Sequence, residues 1–209
     1  MKIPSNWNNI SVGQFQEAFP YYVKAVKETD TIESLENWCI VIAIVTNSQL
    51  EDVRELPGDK LKKVIKKLSF LGDSKINGRK RHNLLFNGRL YHAPRWGKEF
   101  STSRAIEYKT FMGRDFIPNL HFILATIYNP VYGKQSHEVR ANKFKSLKVG
   151  RVYPTVFFYL NRYNKLINRI RDYGLKVARE KQKEAQEILM QTLKESLENI
   201  GDGTLHSMK

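Results

Sequence analysis

The chain has 209 residues, 41% hydrophobic and 27% charged, which allows one ordinary domain with an appendage and excludes a disordered polymer. A single cysteine, Cys39, excludes a disulfide scaffold and any multi-cysteine zinc site. No apolar run reaches bilayer length and the opening MKIPSNWNN lacks a signal-peptide pattern, so a soluble protein of a reducing compartment is expected, with no membrane partner.

What remains to explain is a net charge of +14, from 35 Lys+Arg against 21 Asp+Glu. It is segregated. Residues 1–59 carry −5, residues 60–99 carry +10, residues 100–133 carry +1, residues 134–182 carry +10 and residues 183–209 carry −2. Two basic blocks between acidic ends favour a polyanion or acidic protein neighbours over a neutral small molecule.

Residues 11–28 read as a first helix with Ser11 as N-cap, although Pro20 allows two short helices instead. Asp30 and Glu33 form a capping-box pattern for a second helix, apolar on nearly every face from Trp38 to Val45 and therefore buried at its centre. Ser48 and Glu51 repeat the pattern for a short helix that Pro57 and Gly58 end. Asp59 is then read as the cap of an amphipathic helix, with Leu61, Val64, Ile65 and Leu68 inside and Lys62, Lys63, Lys66 and Lys67 outside.

Asn77-Gly78 and Asn87-Gly88 are both hairpin-turn signals, which predicts an antiparallel meander over residues 74–96. Two or three strands alone are marginal in water, so the meander must pack on helices or on another chain. Helical patterns return at residues 101–112 and 118–128, where Leu120, Ile123, Leu124 and Ile127 form an apolar stripe. Asn129-Pro130 and Gly133 stop the second of these. Residues 134–153 are basic and irregular, with room for one short helix at 136–144.

From residue 155 to 200 there is no proline and one glycine, Gly174, a candidate bend, with Gly201 as a C-terminal cap. A helix of that length spans about 70 Å, longer than a small domain is wide. Its middle, AREKQKEAQE, is polar all round, so the helix is expected to project into solvent or pack between subunits, and a hairpin is the alternative. The class is thus mainly α (α+β). Residues 1–133 form a helical body with a hairpin arm at about 74–96, 134–153 a basic connector, 154–201 the long helix and 202–209 a tail.

The chemistry-bearing residues form no recognisable active site. There is no phosphate-binding glycine loop, and His82, His92, His121, His137 and His206 never fall at metal-binding spacing. His82 and His92 could meet across the hairpin, which gives two metal ligands of the three or four needed. His121, between Leu120 and Phe122, reads as a half-buried hydrogen-bonded residue, and Cys39 as a buried thiol. Carboxylates cluster at helix starts, where capping accounts for them. No enzymatic role and no cofactor are expected.

Nucleic-acid contact has better support. Arg79, Lys80, Arg81, Arg89, Arg95 and Trp96 place cations and an aromatic around the hairpin, as a phosphate-contacting tip would. Arg151, Arg162, Lys165, Arg169, Arg171, Lys176, Arg179 and Lys181 recur along the long helix, with Tyr153, Tyr159, Tyr163 and Tyr173 interleaved. No sequence-reading motif accompanies them, so contact with DNA would be sequence-independent. The same helix carries an apolar set, including Tyr163, Ile167, Ile170, Leu189, Leu193 and Leu197, suited to another subunit or partner.

The run Ile3-Pro4-x-x-Trp7-x-x-Ile10-Ser11-Val12-Gly13-Gln14-Phe15 resembles the opening of small proteins encoded among the structural genes of tailed bacteriophages, crAss-like and other Bacteroidetes phages above all. Ile44-Val45-Thr46, Ser48-x-x-Glu51-x-Val53-x-x-Leu56-Pro57, Leu68-x-Phe70-Leu71, Asn77-Gly78 and Asn119-Leu120-His121-x-Ile123-Leu124-Ala125 continue the likeness, which spans roughly residues 3–130. The resemblance implies a virion structural or assembly protein. One form is a head-to-tail connector or tail ring, a cyclic homo-oligomer (twelvefold by likeness to connector rings) touching the portal and neighbouring ring proteins. The others are a DNA-binding protein packaged with the genome and a cytoplasmic tail assembly chaperone. The basic C-terminal helix lies beyond the resemblance.

Overall fold

The computed structural model describes residues 1–73, 76, 78–95, 99–112 and 115–202, with side chains as far as 196. The chain is 67% helix, with a small three-stranded antiparallel sheet and a long C-terminal helix, the mainly α class that the periodicity predicts. It divides into a first unit, Met1–Asn161, and a second, Arg162–Lys209.

Helix α1 (Val12–Lys27) opens on a reciprocal capping box: Gln14 N–H donates to Ser11 Oγ at 3.2 Å and Ser11 N–H to Gln14 Oε1 at 3.0 Å. It remains one helix through Pro20, which is exposed and costs only the bond that would run to the Gln16 carbonyl. Helix α2 (Thr31–Thr46) starts under Asp30, which accepts from the N–H groups of Ile32 and Glu33, and ends at Asn47 in the left-handed region, φ 52°. Its buried residues, Asn37, Cys39, Val41, Ile42 and Val45, occupy the centre as expected.

Two N-caps differ from expectation. Ser48 does not cap the short helix α3 (Leu50–Arg54), whose N-cap is Gln49; the Ser48 hydroxyl instead accepts from Thr46 Oγ1 at 3.0 Å. Asp59 lies inside the first turn of α4 (Gly58–Lys67), and Pro57 is the cap. A carboxylate there still favours the positive helix end without closing a cap bond. A 3-10 turn, Ser69–Gly72, then buries Leu71.

The sheet has the order β1 (Asn83–Phe86), β2 (Arg89–His92), β3 (Asn129–Pro130). Asn87 and Gly88, at φ 47° and 69°, make the predicted turn, with Phe86 facing Arg89 and Asn83 facing His92. The predicted meander is otherwise corrected. Residues 78–82 are not strand, Asn77 lies outside the described residues, and the third strand comes from Asn129-Pro130. The prolyl residue lacks an N–H and therefore suits an edge, while the next residue, Val131, donates to Leu90 O at 2.9 Å.

Helices α5 (Thr102–Met112), α6 (Leu120–Ile127) and α7 (His137–Phe144, capped by Ser136) follow, and α8 runs Val149–Asp202. Every residue of α6 except Phe122 is buried. Helix α8 begins at Val149 instead of 155, because Pro154 falls in its opening turns, where a missing N–H costs one bond. It continues as helix through Gly174 and on to Asp202, so Gly201 lies inside it and is not its C-terminal cap. Val149, Val152, Val156 and Tyr159 put one face of its start into the first unit.

The opening of the chain and the start of α8 satisfy each other. Val12 and Gly13 N–H groups donate to the carbonyls of Leu147 and Lys145, both at 2.7 Å. In return Val149 donates to Ile10 O at 2.9 Å and Gly150 to Trp7 O at 3.0 Å. Four orphan donors of two helix N-termini are thereby paired with backbone. Trp7 fixes the segment by edge contacts with Phe15 and Phe70, at 5.1 and 5.3 Å between centroids.

Candidate nucleic-acid and partner interface

The basic segment before β1 is held from beneath by α8. Arg81 N–H donates to Thr155 Oγ1 at 2.8 Å, and the Tyr128 hydroxyl donates to Arg81 O at 2.6 Å, with Thr155 Oγ1 a further 3.1 Å contact. Burial pushes the Tyr128 phenol up to about 12, against the opposing pull of Thr155, Arg81 and Arg151, so it stays a neutral donor. Beside it Tyr108 donates to Val156 O at 3.2 Å, Tyr159 donates to Pro94 O, and Arg151 Nη2 donates to Leu85 O at 2.9 Å. Burial also raises the Tyr108 and Tyr159 phenols.

On this base Arg79, Lys80, Arg81, Arg89 and Arg95 are exposed. None of the five has a carboxylate ion-pair partner among the described residues. Lys80 Nζ sits 4.2 Å over the Phe158 ring. The arrangement is not a single tip. Arg89 stands at the turn, whereas Arg79, Lys80 and Arg81 lead into the opposite end of the hairpin, where Arg95 follows β2. Arg95 N–H donates to the Glu99 carboxylate at 2.9 Å, which with His92 holds that carboxyl below its usual range. Trp96 lies outside the described residues. A rail of cations along both hairpin ends can span several phosphates and has no means of reading bases.

The described part of the second unit is all α8. Arg162, Lys165, Arg169, Arg171, Lys176 and Arg179 are exposed, and two short-range pairs occur, Arg171–Asp172 at 3.7 Å and Lys176–Glu180 at 3.8 Å. Such exposed pairs stabilise by tenths of a kcal/mol at most. Of the apolar set, Tyr163 is 9% exposed, but Ile167, Ile170, Leu189 and Leu193 are 39–60% exposed; the Leu197 side chain lies outside the described residues. Leu175, Ile188 and Met190, not singled out by periodicity, are also exposed.

The histidines disperse. His92 pairs with Asn83 Oδ1 at 2.8 Å, and His82 turns to Ala93 O at 3.3 Å. No group of three or more metal-ligating side chains occurs among the described residues. His121 is buried, its Nδ1 accepting from Gln16 Nε2 at 2.8 Å, and burial, with Lys145 and His137 nearby, pushes it down to about 4. His137 lies between Glu107, at 3.4 Å, and Thr126 Oγ1, at 3.1 Å, and burial lowers it too. Cys39 is buried, and desolvation raises its thiol. No described helix is long and apolar enough to cross a membrane.

Comparison with protein-family models, with curated proteins and with solved structures gave no match. The clamp formed by Tyr108, Tyr128 and Thr155 carries no signal in the sequence, because it joins residues far apart through backbone acceptors. The rail itself was visible as a charge block.

Proposed function

We propose that the chain is a structural subunit of a bacteriophage virion, a head-to-tail connector or tail ring protein forming a cyclic oligomer around the DNA channel. One observation carries the reading: beyond Tyr163 α8 buries no described residue, yet it exposes a run of large apolar side chains. A helix of that kind is completed by other subunits, and head-to-tail contacts between copies close into rings. The resemblance of residues 3–130 supplies the phage setting, and the portal and adjacent ring proteins are the proposed neighbours. Mass spectrometry of purified particles with copy number, alongside negative-stain images of the isolated chain, tests it. Stoichiometric copies and rings are expected. Absence from the particle overturns the reading, and abundant chain in host cytoplasm alone identifies an assembly chaperone.

A second reading, sequence-independent binding to the genome, draws on the exposed rail of Arg79, Lys80, Arg81 and Arg89, which has no carboxylate ion-pair partner among the described residues. In a ring the same cations would touch passing DNA through phosphates only.

A further inference from the structure

We infer that α8 pairs with α8 of a second copy of this chain in antiparallel orientation, about a two-fold axis near Lys181 and Gln182.

The helix is a charge dipole written in side chains. Residues 162–183 hold eight basic and two acidic residues, and residues 184–202 hold five acidic and one basic. A parallel pair would set basic against basic and acidic against acidic along its whole length, whereas an antiparallel pair sets opposite signs together. The apolar positions obey the same symmetry. With the axis between 181 and 182, Ile170 comes level with Leu193, Gly174 with Leu189 and Ala178 with Ala185. Exposed Ile170 thus comes level with exposed Leu193, and the small residues Gly174, Ala178 and Ala185 nearer the middle permit close approach.

In the monomer nothing described competes for these side chains except the exposed Lys176–Glu180 pair at 3.8 Å. Residues 166–196 alone give about 45 Å of overlap at 1.5 Å per residue, four heptads of contact. This contact is isologous and takes the same exposed face of α8 that carries the connector reading, so a ring built from such pairs would close through head-to-tail contacts of the first unit.

The test uses the full chain. Light scattering should give an even-numbered oligomer, a dimer at low concentration. An equimolar mixture of Ile170→Cys and Leu193→Cys, oxidised mildly, should form a 170–193 disulfide. Ile170→Cys alone should not crosslink, because its two copies lie ~35 Å apart in this register. Leu189→Asp, which puts a carboxylate into the apolar stripe, should raise the dimer Kd about tenfold. Lys176→Ala, on the opposite face of the helix, should leave it within about threefold. A strictly monomeric chain, an Ile170→Cys homodisulfide, or a Leu189→Asp variant that pairs as tightly as the parent overturns the inference. Absence of the protein from particles would sink the virion reading and leave this result untouched.

Discussion

Thr155 Oγ1 accepts the backbone N–H of Arg81 at 2.8 Å, so a hydroxyl inside α8 sets the position of the basic rail. Thr155→Val keeps the shape and removes the acceptor. A part-buried N–H left without a partner costs about 1–2 kcal/mol. The urea midpoint should fall accordingly, and an unchanged midpoint would show that water replaces the hydroxyl.

Gly78 meets the same helix. A Cβ there would stand 2.7 Å from Pro154 Cγ, on a ring that cannot swing away. Gly78→Ala should destabilise the fold by about 1–3 kcal/mol through overpacking. Combining it with Pro154→Ala should recover most of that loss. A double-mutant cycle on thermal or urea unfolding reads the coupling, and additive losses would place the two residues out of contact.

His121 makes stability depend on pH in a defined direction. Its folded value of about 4 lies below the ordinary 6.5, so the unfolded chain takes up the proton first. Stability should be full above about pH 6.5 and fall by about 3 kcal/mol as the pH drops towards 4. His137, also lowered by burial, adds to the loss in the same direction. Urea titrations between pH 4 and 7 check it: His121→Gln should flatten most of the slope, and an undiminished slope would assign the effect elsewhere.

If the hairpin rail meets DNA, its cations act on phosphates alone. Affinity for random duplex should then fall with salt at a log–log slope of roughly −3 to −4 for four contacts. The variant R79Q/K80Q/R81Q/R89Q should reduce both affinity and slope, equally for every duplex sequence. No binding near 50 mM salt removes the DNA reading while leaving the connector proposal standing.

Local signals in the sequence were legible where local chemistry decides. Ser11, Asp30 and the Asn87-Gly88 turn all act within four residues, and the structure places each cap and the turn where the sequence predicts. The errors fall where distant residues decide. Asn129-Pro130 becomes a strand only because β2 offers its edge, and α8 starts at Val149, ahead of Pro154, where Trp7 and Ile10 supply acceptors for its first N–H groups. The rail was legible as charge, but its base was not, since Tyr128, Thr155 and Arg81 are joined across 27 and 47 positions of chain. The apolar run of α8 was legible as a period, and only its exposure distinguishes an unpartnered face from a core.

Cys39, sealed in the centre of α2, has a practical consequence. Being the chain's one thiol, it turns the protein into its own clock for breathing motions. A thiol reagent added to the native chain can react only when that helix opens, so the labelling rate reports the opening equilibrium of the first unit. A second cysteine placed on an exposed face would label at once, and the two rates, read in one sample, would separate surface chemistry from unfolding.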